Sequence, residues 1–373
     1  MANRSSDELK RIAHLAATQL MPHRWKLWFW GDSIGLEGLL DASEITGDDR
    51  YSGYVYGLLK AWAAKQEHRS KFDYTAAGAA TLRMYQQTKD DQLLETAVNH
   101  AEYLAAFRQT EGNAYLRYED AQIELPPELP SEQSASSRST EQAVPITSGG
   151  PCVFVDTMHF DGPFFAKLYR VTGEDRFRKL ALDNLLGSIT LLFDERTSLF
   201  HHYWSERSRQ PNGVLWGRGN GWAMLGLLQT LVHLPESDPA RPFLLQVFQE
   251  QAAAVASLQD ASGDWHTVLD DSESYLETSI AAFVVDGFSM AIRIGLLSEE
   301  YLPVIERAWK AMLGHVDSSG KLTGVSYETF PSPRREHYRQ MPRDAVVPWG
   351  QGPLLTAIHS YQSLHESTKE LTR

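Results

Sequence analysis

Three aspartates open apolar helical stretches of this chain, and a carboxyl so placed can do acid/base chemistry: Asp32 after Trp28-Phe29-Trp30-Gly31, Asp73 ahead of Gly78, and Asp156 after Phe154-Val155. An aspartate at a helix start also serves as an N-cap for the first free amides, and each of the three is open to that reading. Asp156 stands apart because apolar Cys152-Val153-Phe154-Val155 precedes it and Thr157-Met158-His159-Phe160 follows. A carboxyl held in apolar surroundings near a second carboxylate has a raised pKa and can donate a proton near neutral pH. Asp156 is therefore the best-placed proton donor.

A second group of residues suits binding. Leu215-Trp216-Gly217-Arg218-Gly219-Asn220-Gly221-Trp222 sets three glycines among two tryptophans, an arginine and an asparagine, directly before an apolar run. Glycine is costly inside a helix, so the cluster implies that something approaches the backbone closely. Two indoles with a guanidinium make a surface for a sugar ring carrying a carboxylate. A glycine-rich N-cap with structural tryptophans is the alternative. His201, His202 and Trp204 lie on an extended piece just upstream, and Tyr275, Glu277 and Trp349 begin further helices. Eight of the ten tryptophans (Trp25, Trp28, Trp30, Trp204, Trp216, Trp222, Trp265 and Trp349) fall in loops or helix starts, which points to an aromatic-lined cleft for a carbohydrate.

Other chemistries fit poorly. His201 and His202 are adjacent and cannot share a helical face, and HxxxH and CxxC spacings are missing, so no metal is expected. There is no Ser–His–Asp elbow, and the glycine cluster lacks the Lys-Ser/Thr ending of a phosphate loop. Net charge −13 argues against nucleic acid or a membrane surface as partner, so an anionic ligand needs local cations. With 42% hydrophobic and 22% charged residues, a polar N-terminus and no membrane-length apolar run, a soluble protein is expected. The lone Cys152 forms no internal disulfide, which suits a reducing compartment, so the cytoplasm is the expected location.

The elements that must position these residues are helices. Three junctions look alike: Ile45-Thr46-Gly47-Asp48-Asp49-Arg50-Tyr51, Gln87-Thr88-Lys89-Asp90-Asp91-Gln92-Leu93 and Val171-Thr172-Gly173-Glu174-Asp175-Arg176-Phe177. In each, a glycine or lysine ends one helix and acidic residues favour the start of the next. A second signature reads as a turn into a short extended piece: Thr110-Glu111-Gly112-Asn113-Ala114-Tyr115, Glu195-Arg196-Thr197-Ser198-Leu199-Phe200, Asp260-Ala261-Ser262-Gly263-Asp264-Trp265 and Asp317-Ser318-Ser319-Gly320-Lys321-Leu322. About twelve helices follow from the periodicity. Those starting near 31, 74, 156, 218, 276 and 350 are small-residue-rich or strongly apolar, and their partners are amphipathic.

An inner ring of buried helices inside an outer ring of half-exposed ones makes an all-α (α/α)6 toroid, with an open solenoid as the competing arrangement. All inner helices then run the same way, and the residues above gather at one end. Residues 1–373 are expected as a single catalytic domain, monomeric or homodimeric. Two stretches interrupt the hairpins. Residues 119–150, rich in Pro, Ser, Glu and Gln, read as a mobile loop or lid. Residues 326–349 carry Arg334-Arg335-Glu336-His337-Tyr338-Arg339 and Arg343, either a solvated loop or a cationic flap over an anionic ligand.

Five segments carry a likeness to known enzymes: Phe72-Asp73 with Gly78, Val155-Asp156-Thr157-Met158, Leu199-Phe200-His201-His202-Tyr203-Trp204, Trp216-Gly217-Arg218-Gly219-Asn220-Gly221-Trp222 and Ser274-Tyr275-Leu276-Glu277-Thr278-Ser279. In this order they resemble the unsaturated glucuronyl and rhamnogalacturonyl hydrolases of glycoside hydrolase families 88 and 105, family 105 more closely. The likeness runs from about Trp28 to Gln362. It implies an unsaturated uronate-containing oligosaccharide as partner and no metal or organic cofactor. It further implies that Asp156 is the general acid/base with Asp73 beside it, and that His202, Arg218 and Trp222 hold the uronate.

The implied reaction is hydration: Asp156 protonates C4 of the C4=C5 enol ether, water adds at C5, and the hemiketal opens to release the remaining sugar chain. Trp30, Phe154, Trp204, Tyr275 and Trp349 are expected to line the site. Many members carry tryptophan where this chain has Phe154, and the 119–150 insertion is longer than usual, so both bear on the leaving sugar. Arg334 and Arg335, with Arg339 and Arg343, are expected to meet an anionic group beyond the cleaved bond. The rival readings are a sugar epimerase of the same architecture with histidine bases, a conventional inverting glycosidase, and a non-catalytic carbohydrate-binding scaffold.

Overall fold

Each repeated junction turns the chain through the same backbone conformation. The computed structural model describes residues 5–27, 29–65, 77–117, 151–343 and 345–371. Gly47, Lys89 and Gly173 all take left-handed φ (72°, 57° and 74°), and each amide donates to the carbonyl four residues back, closing the preceding helix. The second signature repeats as faithfully. Asn113, Ser198, Gly263 and Gly320, at the equivalent place in their four turns, all have positive φ. Around them the chain makes short antiparallel pairs, Gln109 with Tyr115, Phe193 with Phe200 and Val316 with Leu322.

Among the described residues twelve longer α-helices and two short ones result: α1 (Ser6–Leu20), α2 (Trp30–Thr46), α3 (Arg50–Lys65), α4 (Gly78–Thr88), α5 (Asp91–Ala105), α6 (Thr157–Phe160), α7 (Gly162–Thr172), α8 (Asp175–Leu192), α9 (Gly217–His233), α10 (Arg241–Ser257), α11 (Thr278–Arg293), α12 (Leu302–Gly314), α13 (Arg335–Arg339) and α14 (Pro348–Leu371). Burial separates two classes. Every residue of α9 from Gly217 to Leu228 is buried. In α3 only Tyr51, Val55, Leu59 and Trp62 are buried, the single stripe of a helix with one face in water. Helices α2, α4, α7, α9, α11 and α14 pack side by side in chain order, and α14 packs on both α11 and α2. The ring is therefore closed, and the open solenoid is excluded. Helices α1, α3, α5, α8, α10 and α12 back onto it from outside, completing an (α/α)6 toroid.

Short strands lead into the inner helices. β1 (Cys152–Phe154), β4 (Tyr203–Ser205) and β5 (Gln210–Pro211) form one antiparallel sheet in the order β1-β4-β5, while β2 (Phe193–Asp194) pairs β3 (Leu199–Phe200) and β6 (Trp265–His266) pairs β7 (Leu276–Glu277). The insertion at 119–150 lies outside the described residues. Its flanks are tied together, because Arg117 and Cys152 exchange both backbone hydrogen bonds at 2.8 and 3.0 Å. Among the described residues no helix is long and apolar enough to cross a membrane.

Ring closure depends on two glycines facing each other. A Cβ on Gly352 would lie 2.4 Å from the carbonyl oxygen of Ile34, and one on Gly38 would lie 2.7 Å from the Cα of Gly352. Both obstacles are backbone, so neither can swing aside. Gly352→Ala should then force α2 and α14 apart and cost about 1–3 kcal/mol of stability. The midpoint of urea unfolding measures this, and an unchanged midpoint would refute the closure contact.

Candidate active site

Asp156 reaches its position through the β1–β4 pair. The register sets Phe154 opposite Tyr203 and Val153 opposite Trp204. The next amide, that of Val155, donates to the carbonyl of His202 at 3.0 Å, so Asp156 and His202 leave the sheet side by side. Asp156 Oδ2 lies 3.7 Å from His202 Nε2, and its side chain keeps 18% of its surface exposed in an otherwise buried stretch. It makes no capping hydrogen bond to α6. Burial pushes its carboxyl up to about 7, while its own amide and the Arg218 charge pull the other way. An uncommitted carboxyl that holds its proton near neutrality is what acid/base work needs.

The other aspartates differ. Asp32 is fully buried and accepts from the amides of Lys26 and Leu27 at 2.6 and 2.9 Å, with His23 Nε2 at 3.1 Å. Its role is to close the 23–27 loop. Asp73 lies outside the described residues.

His202 is held from behind. Its Nδ1 is 2.6 Å from the hydroxyl of Tyr338, a fully buried residue of α13. Trp216 packs against the imidazole with ring centroids 4.4 Å apart, and Phe154 meets it edge-on at 6.0 Å. Burial, then the His337 and Arg218 charges, drive the imidazole well below its ordinary pKa, so it is neutral. Asn220, from the glycine cluster, anchors the strand upstream: its amide group donates to the Phe200 carbonyl at 3.0 Å and accepts from the Phe200 amide at 2.8 Å.

Arg218 is turned into the protein. Neither it nor Glu277 exposes any side-chain surface, and Nη1 meets Glu277 Oε1 at 3.0 Å. Nη1 also donates to Ser326 Oγ at 2.6 Å, and Nη2 donates to the Tyr327 carbonyl and to Thr329 Oγ1 at 2.8 and 3.0 Å. The fork expected to hold a uronate carboxylate is therefore occupied by Glu277 and residues 326–329, leaving Nε without a partner among the described residues. Glu277 in turn caps α11, accepting from the amide and hydroxyl of Ser279 at 3.1 and 2.6 Å.

The tryptophans also need correction. Trp222 has no exposed surface: Phe160, His159 and Phe283 enclose it at centroid distances of 4.8, 5.1 and 4.5 Å. Trp216, Trp265 and Trp349 are buried too, and Trp204 nearly so. Of the site aromatics only Trp30, packed on Trp349 at 4.6 Å, and Tyr275 are no more than half-buried. What approaches the glycines is protein. A Cβ on Gly219 would fall 2.8 Å from Val155 Cγ1, and one on Gly221 would fall 2.8 Å from the Phe283 ring.

The arginine-rich loop divides. Arg335 pairs with Asp270, and Arg339 bonds both oxygens of Asp271 at 2.7 and 2.9 Å, so these two fasten α13 down. The expectation that Arg335 binds substrate gives way to that latch. Arg334 is exposed, and Arg343 lies over the Tyr275 ring, 4.2 Å from its centroid. Glu328, missed in the sequence, has its carboxyl raised by burial, with Lys26 lowering it and Asp32 raising it further. Among the described residues one set of potential metal donors gathers, Asp41, Glu44 and His359, but Arg83 already bonds both carboxylates at 2.7 Å.

Residues 4–365 match the family model described as Glycosyl Hydrolase Family 88. The chain is a family 88 glycoside hydrolase. It is 28% identical over 336 residues to the unsaturated rhamnogalacturonyl hydrolase YesR of Bacillus subtilis, covering 89% of this chain and 88% of the relative. A possible GH105 family member from Salmonella enterica shares the fold with a TM-score of 0.81 at 23% identity, over 98% of this chain and 96% of that one. A Clostridium acetobutylicum family 105 glycoside hydrolase does so with a TM-score of 0.76 at 19% identity, over 94% and 99%.

In this family 88 enzyme the Arg218–Glu277 pair tests whether the guanidinium is structural. Glu277→Ala strands a fully buried cation and should cost about 3–5 kcal/mol of unfolding free energy. Denaturant titration gives the value. A loss no larger than that of a surface substitution would return Arg218 to the role of a free ligand-binding group.

Proposed function

We propose that this enzyme removes a terminal 4,5-unsaturated uronic acid from lyase-generated oligosaccharides by hydrating the C4=C5 enol ether. The observation that carries the reading is Asp156, a partly exposed carboxyl with no capping bond whose proton is retained to about pH 7. Asp156 delivers its proton to C4, and the positive charge that develops is shared between C5 and the ring oxygen. The carboxylate then draws a proton from water as the hydroxyl adds at C5. The hemiketal opens to a ketone at C5, leaving a hemiacetal at C1 that collapses to an aldehyde and frees the rest of the chain as an alcohol. Asp73, four residues before the described segment that begins at Ala77, is assigned as the second carboxylate that keeps Asp156 protonated by like-charge coupling. The whole chain acts as one catalytic unit, and its lone buried thiol, Cys152, fits a cytoplasmic setting.

Substrate contacts are assigned by exposure. Trp30, with the part of Tyr275 that Arg343 leaves uncovered, meets the sugar, and His202 and Phe154 flank the acid. Trp222 shapes the floor beneath them, and Arg218, its charge matched by Glu277, braces Trp216 behind His202 without touching the sugar. Arg343 and Arg334 meet acidic groups on the leaving side. The name of YesR, an unsaturated rhamnogalacturonyl hydrolase, favours rhamnose next to the cleaved bond.

Loss of the double bond's ultraviolet absorbance on incubation with unsaturated disaccharides measures the reaction. Asp156→Asn should lower kcat roughly 100- to 10,000-fold; an active Asn variant removes Asp156 from its role. Because the acid must start protonated, kcat/KM should fall as pH rises through about 7. A profile flat across that range contradicts the assignment. Arg343→Ala should raise KM several-fold for a substrate with a carboxylate in its leaving portion and leave KM for a neutral one unchanged.

A further inference from the structure

The environment of Tyr338 decides which nitrogen of His202 carries hydrogen. Asn212 comes first. Its Oδ1 faces the amides of Tyr203 and Val214, both at 3.4 Å, so its amide group is oriented with Nδ2 toward Tyr338. From there Nδ2 donates to the Ser332 carbonyl at 3.0 Å and to the Tyr338 hydroxyl at 3.2 Å. The amide of Ser332 also points at that hydroxyl, at 3.4 Å. A phenol oxygen has two acceptor sites and one hydrogen. With Asn212 and Ser332 donating to it, the hydroxyl has only its hydrogen left to offer. That hydrogen goes to the nearer and less committed acceptor, His202 Nδ1 at 2.6 Å, because the Ser332 carbonyl lies 3.3 Å away and already accepts from Asn212.

We propose that Tyr338 is a positioning residue that fixes His202 in the tautomer bearing hydrogen on Nε2, aimed at Asp156. Nε2 lies 3.7 Å from Asp156 Oδ2, close enough to tighten into a hydrogen bond once the carboxyl has given up its proton. The imidazole then stabilises the carboxylate that protonation of the sugar leaves behind, without itself changing charge. The latch pairs of Arg335 with Asp270 and Arg339 with Asp271 keep α13, and so Tyr338, in place. The titratable groups facing the imidazole are Asp156 ahead of α6, Arg218 on α9, and His337 and Tyr338 on α13. The inference rests on the reading of Asp156 as the acid, but its first test does not.

That test is imidazole-nitrogen NMR of the unmodified enzyme with isotope-labelled histidine, the His202 signals being assigned by their loss in His202→Gln. A hydrogen on Nε2 and a bare Nδ1 are expected. A hydrogen on Nδ1 overturns the proposal. The second test is Tyr338→Phe, which lets the ring carry hydrogen on Nδ1 and turn a lone pair toward Asp156. The carboxylate then loses a donor, so its pKa rises and the alkaline limb of the pH profile moves to higher pH. kcat should fall roughly tenfold with KM little changed. A variant with the parent's pH profile and kcat overturns the proposal, as does one whose only defect is lower thermal stability. If the unmodified enzyme is inactive on every unsaturated disaccharide, the hydration reading fails, while the NMR result still decides the tautomer.

Discussion

The mouth of the toroid depends on one ion pair that water never reaches. Burying a guanidinium and a carboxylate costs several kcal/mol for each ion, and their attraction offsets that only when the remaining donors and acceptors are also matched. Arg218 and Glu277 meet most of this condition by recruiting Ser279, Ser326, Tyr327 and Thr329, with Arg218 Nε the one donor left over among the described residues. Three separate pieces of chain, the starts of α9 and α11 and the 326–329 loop, are thereby locked together. The guanidinium also lies over Trp216 at 4.8 Å, and Trp216 backs His202. The position of the imidazole beside Asp156 thus traces to a cation two layers behind it.

The same shielding sets the charge state of the site. Loss of water raises the Asp156 carboxyl to about 7 and lowers the His202 imidazole, so the imidazole is uncharged around neutrality and the carboxyl keeps its proton up to that range. The positive charge nearby belongs to Arg218, which is already balanced by Glu277. Charge separation is then confined to the moment when a proton leaves Asp156, and preorganised dipoles facing that point act on it at full strength.

Local features were legible in the sequence and long-range ones were not. The junction around Gly47, Lys89 and Gly173 and the turn around Asn113, Ser198, Gly263 and Gly320 are written in consecutive residues, and their backbone repeats as their spacing implies. Alternation of apolar and amphipathic helices followed from composition, and with it the toroid. Asp156 stood out through its apolar neighbours. Tyr338 could not, because its partner is 136 residues away and its own surroundings, Arg335 to Arg339, read as a solvated basic run. The glycine cluster misled for a related reason. Glycine reports that something comes close to the backbone, but not whether the visitor is a sugar or, as at Gly219, the Val155 side chain next to the acid.

Closure of the ring by the last inner helix bears on how the chain is made. As synthesis proceeds, α2 is the first inner helix to emerge and lacks its inner neighbour on one flank until α14 has been completed. Its buried flank, including Gly38 and the ring of Trp30, is open to water through the making of every helix between. Apolar surface held open that long invites mispairing with other nascent chains. The toroid therefore passes through its most vulnerable period in the cell, before it has a site to protect.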